Sequence, residues 1–210
     1  MLLDRMPLMS SVTIPFPPGP SPEPVFRLSV QQYHAMIEAG VLTEDDPVEL
    51  LEGILVFKTP KNPAHALVIR LLTQSIDAML LDVNWHFRAQ EPITLDDSEP
   101  EPDGAIVRGQ VRDYLKHHPG PAEIGLVIEV SDTSLARDRG IKLRSYARAS
   151  ISPYWIVDLI GRTVEVYSDP DAEASPSTYR KRVVFDESSI VPIELNGNAV
   201  GTIKVAEILP

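Results

Sequence analysis

One carboxylate inside an apolar run constrains this chain more than any other feature. Residues 124–131 read IGLVIEVS, a short, largely apolar stretch following Gly120 and Pro121, which predicts a buried strand. Alternation along a strand puts Leu126, Ile128 and Val130 on one face and Val127, Glu129 and Ser131 on the other. Glu129 therefore points away from the most apolar face, yet its neighbours leave a charge there costly unless a cation or hydrogen-bond donors meet it. The next segment, SLARDRGIKLRSYAR, predicts a helix over about 135–148, with Asp138, Lys142 and Tyr146 spaced four apart on one face. If that face looks inward, Lys142 is long enough to reach the strand. The plainer reading is a surface pair between Asp138 and Lys142, worth about 0.3–0.5 kcal/mol.

The rest of the chain supplies elements to surround that strand. Ser29 can cap a helix whose face carries Val30, Tyr33, Met36 and Ile37 and which stops at Gly40. VELLEGILVF reads as a strand from about Leu50 onward. PAHALVIRLLTQSIDAMLLD carries an apolar stripe of Leu67, Val68, Leu71, Leu72, Ile76, Met79 and Leu80, the pattern of an amphipathic helix packed on a sheet. Further strands are expected in HFRAQEPITL, DGAIVRG, YRKRVVF and SIVPIEL, a short polar helix in QVRDYLKHH, and a hairpin turning at Gly161 and Arg162. Because helices and strands mix without regular alternation, the expected class is α/β, a mixed β-sheet flanked by α-helices, with extra C-terminal strands. Residues 1–24 hold seven prolines and read as a flexible tail, leaving 25–210 as a single domain.

Composition removes several alternatives. The chain has no cysteine, which excludes disulfides, thiolate zinc sites and cysteine nucleophiles. A formal net charge of -11 argues against broad nonspecific binding to a polyanion. The N-terminus lacks an apolar signal region and no run is long enough to span a membrane, so the expectation is a soluble, cytoplasmic protein. No phosphate-binding Walker loop, serine-hydrolase elbow, HExxH helix or dinucleotide glycine fingerprint occurs. His117 and His118, adjacent to each other, read as surface residues, and Tyr154 and Trp155 as core packing.

Asp103 opens a strand directly after the stiff EPEP segment. The other acids of that loop, Asp96, Asp97, Glu99 and Glu101, read as mostly solvated. Taken in order, EPDGAIV, LVIEVS, RDRGIKLRSYA and SPYWIVDL, preceded by YHAMIEAGVLTEDDPVELLEGILV and His65, resemble the Uma-type endonuclease family. That family is a branch of the PD-(D/E)XK restriction-endonuclease-like superfamily, and the resemblance covers about residues 26–170. It implies the restriction-endonuclease-like fold and a divalent-metal-dependent nuclease hydrolysing phosphodiester bonds in DNA. The catalytic set it implies is Glu49, Asp103, Glu129 and Lys142.

The chain departs from the superfamily pattern at Ser131, where a lysine would stand, and the resemblance implies that Lys142 takes over that role from the next helix. It also implies that Glu49 supplies a further acid, Glu52 being the neighbouring alternative, and it places His65 near the site. Mg²⁺ or Mn²⁺ favours oxygen ligands, so Asp103 and Glu129, with Glu49 and the Val130 carbonyl, are the expected metal ligands. Arg137, Arg139, Arg144 and Arg148 are candidate phosphate contacts, and a homodimer is the expected assembly. The rival expectation is a noncatalytic nucleic-acid-binding or regulatory protein that retains the nuclease fold, which the net charge favours.

Overall fold

The Ser29 hydroxyl accepts the Gln32 amide at 3.1 Å and the Gln32 side chain accepts the Ser29 amide at 2.9 Å, a reciprocal cap that opens α1 (Val30–Glu38). The computed structural model describes residues 24–43, 45–81 and 83–210, so the tail expected over 1–24 lies, Pro24 apart, outside the described residues. Of the apolar face expected for α1 only Tyr33 is buried, and Ile37 remains 45% exposed. The helix lies on the surface.

Where one strand was expected from Leu50, the chain forms a hairpin of β1 (Val48–Leu51) and β2 (Ile54–Phe57). Glu52 and Gly53 take φ of 48° and 75°, the pair of left-handed residues that a two-residue turn requires. A Cβ on Gly53 would sit 2.6 Å from the Arg27 Cβ, so the turn also needs glycine for close approach.

Asn62 caps α2 (Pro63–Met79) by accepting the His65 amide, with Pro63 in the first turn, where its missing N–H costs nothing. Val68, Ile69, Leu72 and Ile76 are its buried face, whereas Leu67, expected in the stripe, is exposed. The main sheet runs β3 (Trp85–Arg88), β4 (Gly104–Arg108), β5 (Ile124–Ser131), β6 (Tyr154–Asp158), β7 (Thr163–Asp171) and β8 (Thr178–Asp186), in that spatial order. Only β5 and β6 pair in parallel. The strand expected through HFRAQEPITL ends at Arg88, because Gln90 turns to φ 59° and Pro92 has no amide to pair. The expected polar helix is a single 3₁₀ turn, Val111–Tyr114. A separate hairpin, β9 (Ile190–Leu195) and β10 (Asn198–Lys204), and the short α5 (Val205–Ile208) follow.

Two apolar layers hold the sheet. Leu126, Ile128 and Val130 of β5 pack with Trp155 and Val157 under α2, β9 and α5. Val127 and Ile156 point the other way, into a cluster with Tyr146, Tyr154, Tyr167 and Tyr179. The result is the mixed α/β sheet flanked by helices that the sequence predicts, with Tyr154 and Trp155 in its core. Among the described residues no helix is long and apolar enough to cross a membrane.

The helix expected over 135–148 is not uniform. It begins as α3 (Leu135–Arg137), kinks over Asp138–Lys142, where Gly140 takes the non-helical φ -107°, ψ -105°, and resumes as α4 (Leu143–Arg148). Asp138, Lys142 and Tyr146 all face inward and are buried, which overturns the surface-pair reading.

Glu165 on β7 pins this kinked segment to the main sheet. It is 1% exposed and accepts from Arg139 Nε at 3.2 Å, Arg182 Nη2 at 2.7 Å and the Tyr167 hydroxyl at 2.6 Å. Burial alone would raise its pKa, but the three donors outweigh it and hold the carboxyl at about 2, below the ordinary 4.5. A folded pKa below the unfolded one stabilises the native state above the unfolded value and loses that contribution as pH falls toward the folded value. Glu165→Gln should therefore cost about 1–2 kcal/mol at neutral pH, discounted because both arginines reach solvent. The gap from wild type should close between pH 4.5 and 2. Urea melts of both proteins across that range check this; a gap independent of pH would refute it.

Candidate active site

Asp103 and Glu129 face each other because of strand register. Gly104 pairs with Ile128 in the antiparallel β4–β5 ladder, so one further step sets Asp103 opposite Glu129. Gly104 is the residue this crossing tolerates, since a Cβ there would lie 2.5 Å from the Phe87 ring. Asp103 Oδ2 accepts the Val130 amide at 2.9 Å and meets His65 Nε2 at 3.0 Å; Oδ1 lies 3.3 Å from the Gln90 amide nitrogen. Burial works against its charge, yet His65, Lys142 and the Val130 amide bring the Asp103 pKa below its ordinary value. It is an ionised, oriented carboxylate.

Glu129 is 2% exposed and its Oε1 accepts the Lys142 ammonium at 2.9 Å and the Tyr146 hydroxyl at 2.6 Å. Burial pushes its pKa well up; Lys142 pulls down, and Asp138, Asp103 and Glu49 push up again. Lys142 responds in the opposite sense: burial favours the neutral amine, but Glu129, Glu49, Asp138 and Asp103 outweigh it and keep the ammonium. The Tyr146 hydroxyl, raised by burial and by Glu129, stays protonated as a donor.

Glu49 resolves the ambiguity with Glu52. The β1 strand turns Glu49 inward, where Oε2 lies 3.6 Å from Lys142 Nζ and accepts the Glu101 amide at 3.1 Å, and Oε1 lies 4.0 Å from Arg137. Glu52, in the hairpin turn, instead pairs with Arg144 and Arg148 on the outside of α4. Asp138 stands at the back, accepting from the Ser131 and Ser134 hydroxyls at 2.5 and 2.6 Å. Ser131 thus fixes an acid beside Lys142.

These groups line one cavity of about 330 Å³. All four candidate residues, Glu49, Asp103, Glu129 and Lys142, reach it, together with His65 and Val130. Of the candidate phosphate arginines only Arg137 does; Arg139 is taken by Glu165, Arg144 by Glu52, and Arg148 by Glu52 and Asp97. Most of the acidic loop is engaged rather than solvated. Glu99 is buried against His34 and Thr94, Glu101 pairs with Lys58, and Asp97 with Arg148.

Sequence reasoning did not single out Lys58, Lys61, Asn62 or Asp132, which form the cavity's outer wall, with Asn62 donating to Asp132 across it. No local pattern marks them, because they meet only when the start of α2 approaches the end of β5.

The donor set suits a hard cation. Six carboxyl groups and four basic side chains line the cavity, so it is acidic in balance, and its candidate ligands are oxygens. Among the described residues no three His, Asp or Glu side chains gather closely enough to hold an ion alone. A cation here would have two facing carboxylates and would complete its shell with water and backbone oxygen, a ligand set that Mg²⁺ accepts.

Comparison with known proteins bears on the family, the fold and the class of activity. The model of the Uma2 family, described as "Putative restriction endonuclease", matches residues 30–200, and the chain belongs to that family. Four solved chains match. One is described as a "putative nuclease belonging to DUF820" from Anabaena variabilis, with a TM-score of 0.59 and 16% identity over 81% of this chain and 94% of its own. That likeness carries the fold. No curated protein matches. Family membership supports nuclease chemistry as the class of activity.

Lys142 is the only ammonium between two buried carboxylates, so Lys142→Met should destabilise the fold by about 3–5 kcal/mol. Adding Glu129→Gln should recover much of that loss. Chemical denaturation of the two single variants and the double variant measures the coupling; strictly additive losses would rule it out.

Proposed function

We propose that this protein is a divalent-metal-dependent nuclease that hydrolyses phosphodiester bonds in DNA, with Asp103 and Glu129 as ligands of Mg²⁺ or Mn²⁺. The observation that carries this reading is the facing pair of carboxylates, one ionised and held by His65 and the Val130 amide, the other beside the Lys142 ammonium, in one acidic cavity. Glu49 is the additional acid, acting on the same centre from behind Lys142, and the Val130 carbonyl is a further oxygen donor. When bound, the ion supplies Lewis acidity toward a phosphate oxygen and lowers the pKa of a coordinated water.

The chain's own residues do the rest. Lys142, fixed by Glu129 and Glu49, presents a compact positive charge where negative charge develops on phosphate. Tyr146 holds Glu129 at the angle the cavity needs, and His65 orients Asp103. Arg137, the one candidate arginine on the cavity, is the nearest phosphate contact. A homodimer and a cytoplasmic location belong to the same proposal.

The rival reading, a noncatalytic protein that keeps the fold, draws support from Oε1 of Glu129, which already has two donors. Calorimetric titration of Mn²⁺ separates the two. Wild type should bind saturably, Asp103→Asn and Glu129→Gln should lose at least tenfold in affinity, and Mn²⁺ should drive nicking of plasmid DNA by wild type alone. Saturable binding without cleavage of plasmid, single-stranded DNA or RNA would favour the noncatalytic reading. Absence of both metal binding and cleavage would remove the nuclease reading.

A further inference from the structure

The outer edge of the main sheet is a second feature that asks for a partner. β8 closes the sheet with β7 on one side only, and among the described residues no strand pairs its other side. Arg180, Lys181, Arg182, Val183 and Val184 are all exposed, with Val183 at 51% and Val184 at 48%. A nine-residue edge carrying adjacent exposed valines presents unpaired amides and carbonyls beside apolar surface, the combination that invites strand addition. No proline or bulge interrupts the run from Arg182 to Asp186, whose register against β7 is regular.

The sequence of that run names the occupant. Residues 182–186 read RVVFD. Two copies meeting antiparallel about a two-fold axis must place one residue opposite itself, because the axis stands perpendicular to the sheet and preserves each side chain's face. With Val184 on the axis, Val183 falls opposite Phe185 of the second copy and Arg182 opposite Asp186. The five positions thus match apolar to apolar and cation to anion from both ends. Arg182 and Asp186 share a face with Val184, and each keeps an atom for the contact. Arg182 gives Nε and Nη2 to Glu165, leaving Nη1, while Asp186 uses Oδ1 for Ser188 and Ser189, leaving Oδ2.

We propose that β8 is the self-association surface of this protein, pairing antiparallel with β8 of a second copy about Val184. The proposal specifies the homodimer of the preceding reading but is independent of its nuclease chemistry, and none of its tests uses cleavage. A different occupant from this chain, the N-terminal stretch 1–23, carries six prolines that cannot donate to a ladder, which makes it a poor edge partner.

The absence of native cysteine permits a clean test. Residues directly opposite across an antiparallel pair have Cβ atoms about 4.5–5.5 Å apart, close to the span of a disulfide. Full-length Val184→Cys should therefore form a covalent dimer under mild oxidation. Val183→Cys should not, because its own counterpart is displaced by two residues, about 6.8 Å along the strand. In sedimentation equilibrium, wild type should reach twice the chain mass, and Val184→Lys should return to the mass of one chain with an unchanged thermal melt. A wild type that stays monomeric, a Val184→Lys variant that stays dimeric, or cross-linking through position 183 instead of 184 would each overturn the proposal. If Val184→Lys fails to fold, the two cysteine variants decide alone.

Discussion

A single ammonium, buried between two carboxylates, sets the arrangement around it. Lys142 lies 2.9 Å from Glu129 and 3.6 Å from Glu49, and among the described residues no other cation is as close to either. Taking three charges out of water is expensive, and the attraction between them offsets that only when geometry and further hydrogen bonds are right. The surrounding structure provides both. The β1–β2 hairpin turns Glu49 inward, β5 delivers Glu129 against its apolar pattern, and the kinked segment over Asp138–Lys142 carries the lysine between them while Tyr146 adds its hydroxyl.

The same constraint explains where the positive charge goes. The arginines along the helix look available for phosphate when read as sequence, yet Arg139, Arg144 and Arg148 each answer an acid of the fold: Glu165, Glu52 and Asp97. Part of the chain's acidity is thus met by ion pairs away from the cavity. Arg137 stands apart, donating to the Phe57 carbonyl at 2.8 Å and approaching Glu49 only at 4.0 Å. It has the weakest claim on it from an acid, and it is the one that lines the cavity.

Local pattern carried much of this. Alternation in IGLVIEVS fixed which side Glu129 takes, and the four-residue spacing of Asp138, Lys142 and Tyr146 placed them on one face, because both signals lie within a few residues. The hairpin at Glu52 and Gly53 escaped because Glu-Gly lacks the Asn-Gly or Asp-Gly signature of such turns. Burial of Glu99 was illegible for another reason: its partner His34 is 65 residues away. Lys58 and Glu101 are separated by 43 residues, and Asp97 and Arg148 by 51, so a cluster of acids reads as solvated until the fold brings their cations. The kink left only Gly140 as a trace, and a lone glycine does not distinguish a kinked helix from a straight one.

Charge balance in the cavity also bears on the order in which ligands would enter. Asp103 is ionised, the charge of Glu129 is made costly by burial and by its acidic neighbours and is met by Lys142, and Lys142 is the sole ammonium among them. A phosphate approaching this arrangement meets repulsion from Asp103 and Glu49 at short range, and Coulomb energy at low dielectric makes that repulsion large. A divalent cation held by Asp103 and Glu129 would change the sign of the encounter: the charge on both carboxylates would be balanced, and Lys142 and Arg137 would be left for the incoming anion. For the reading proposed here, metal and phosphodiester would therefore bind cooperatively, each lowering the electrostatic cost of the other. An acidic chain can act on a polyanion by this route, because attraction is created locally, at the cavity, and only once the cation is in place.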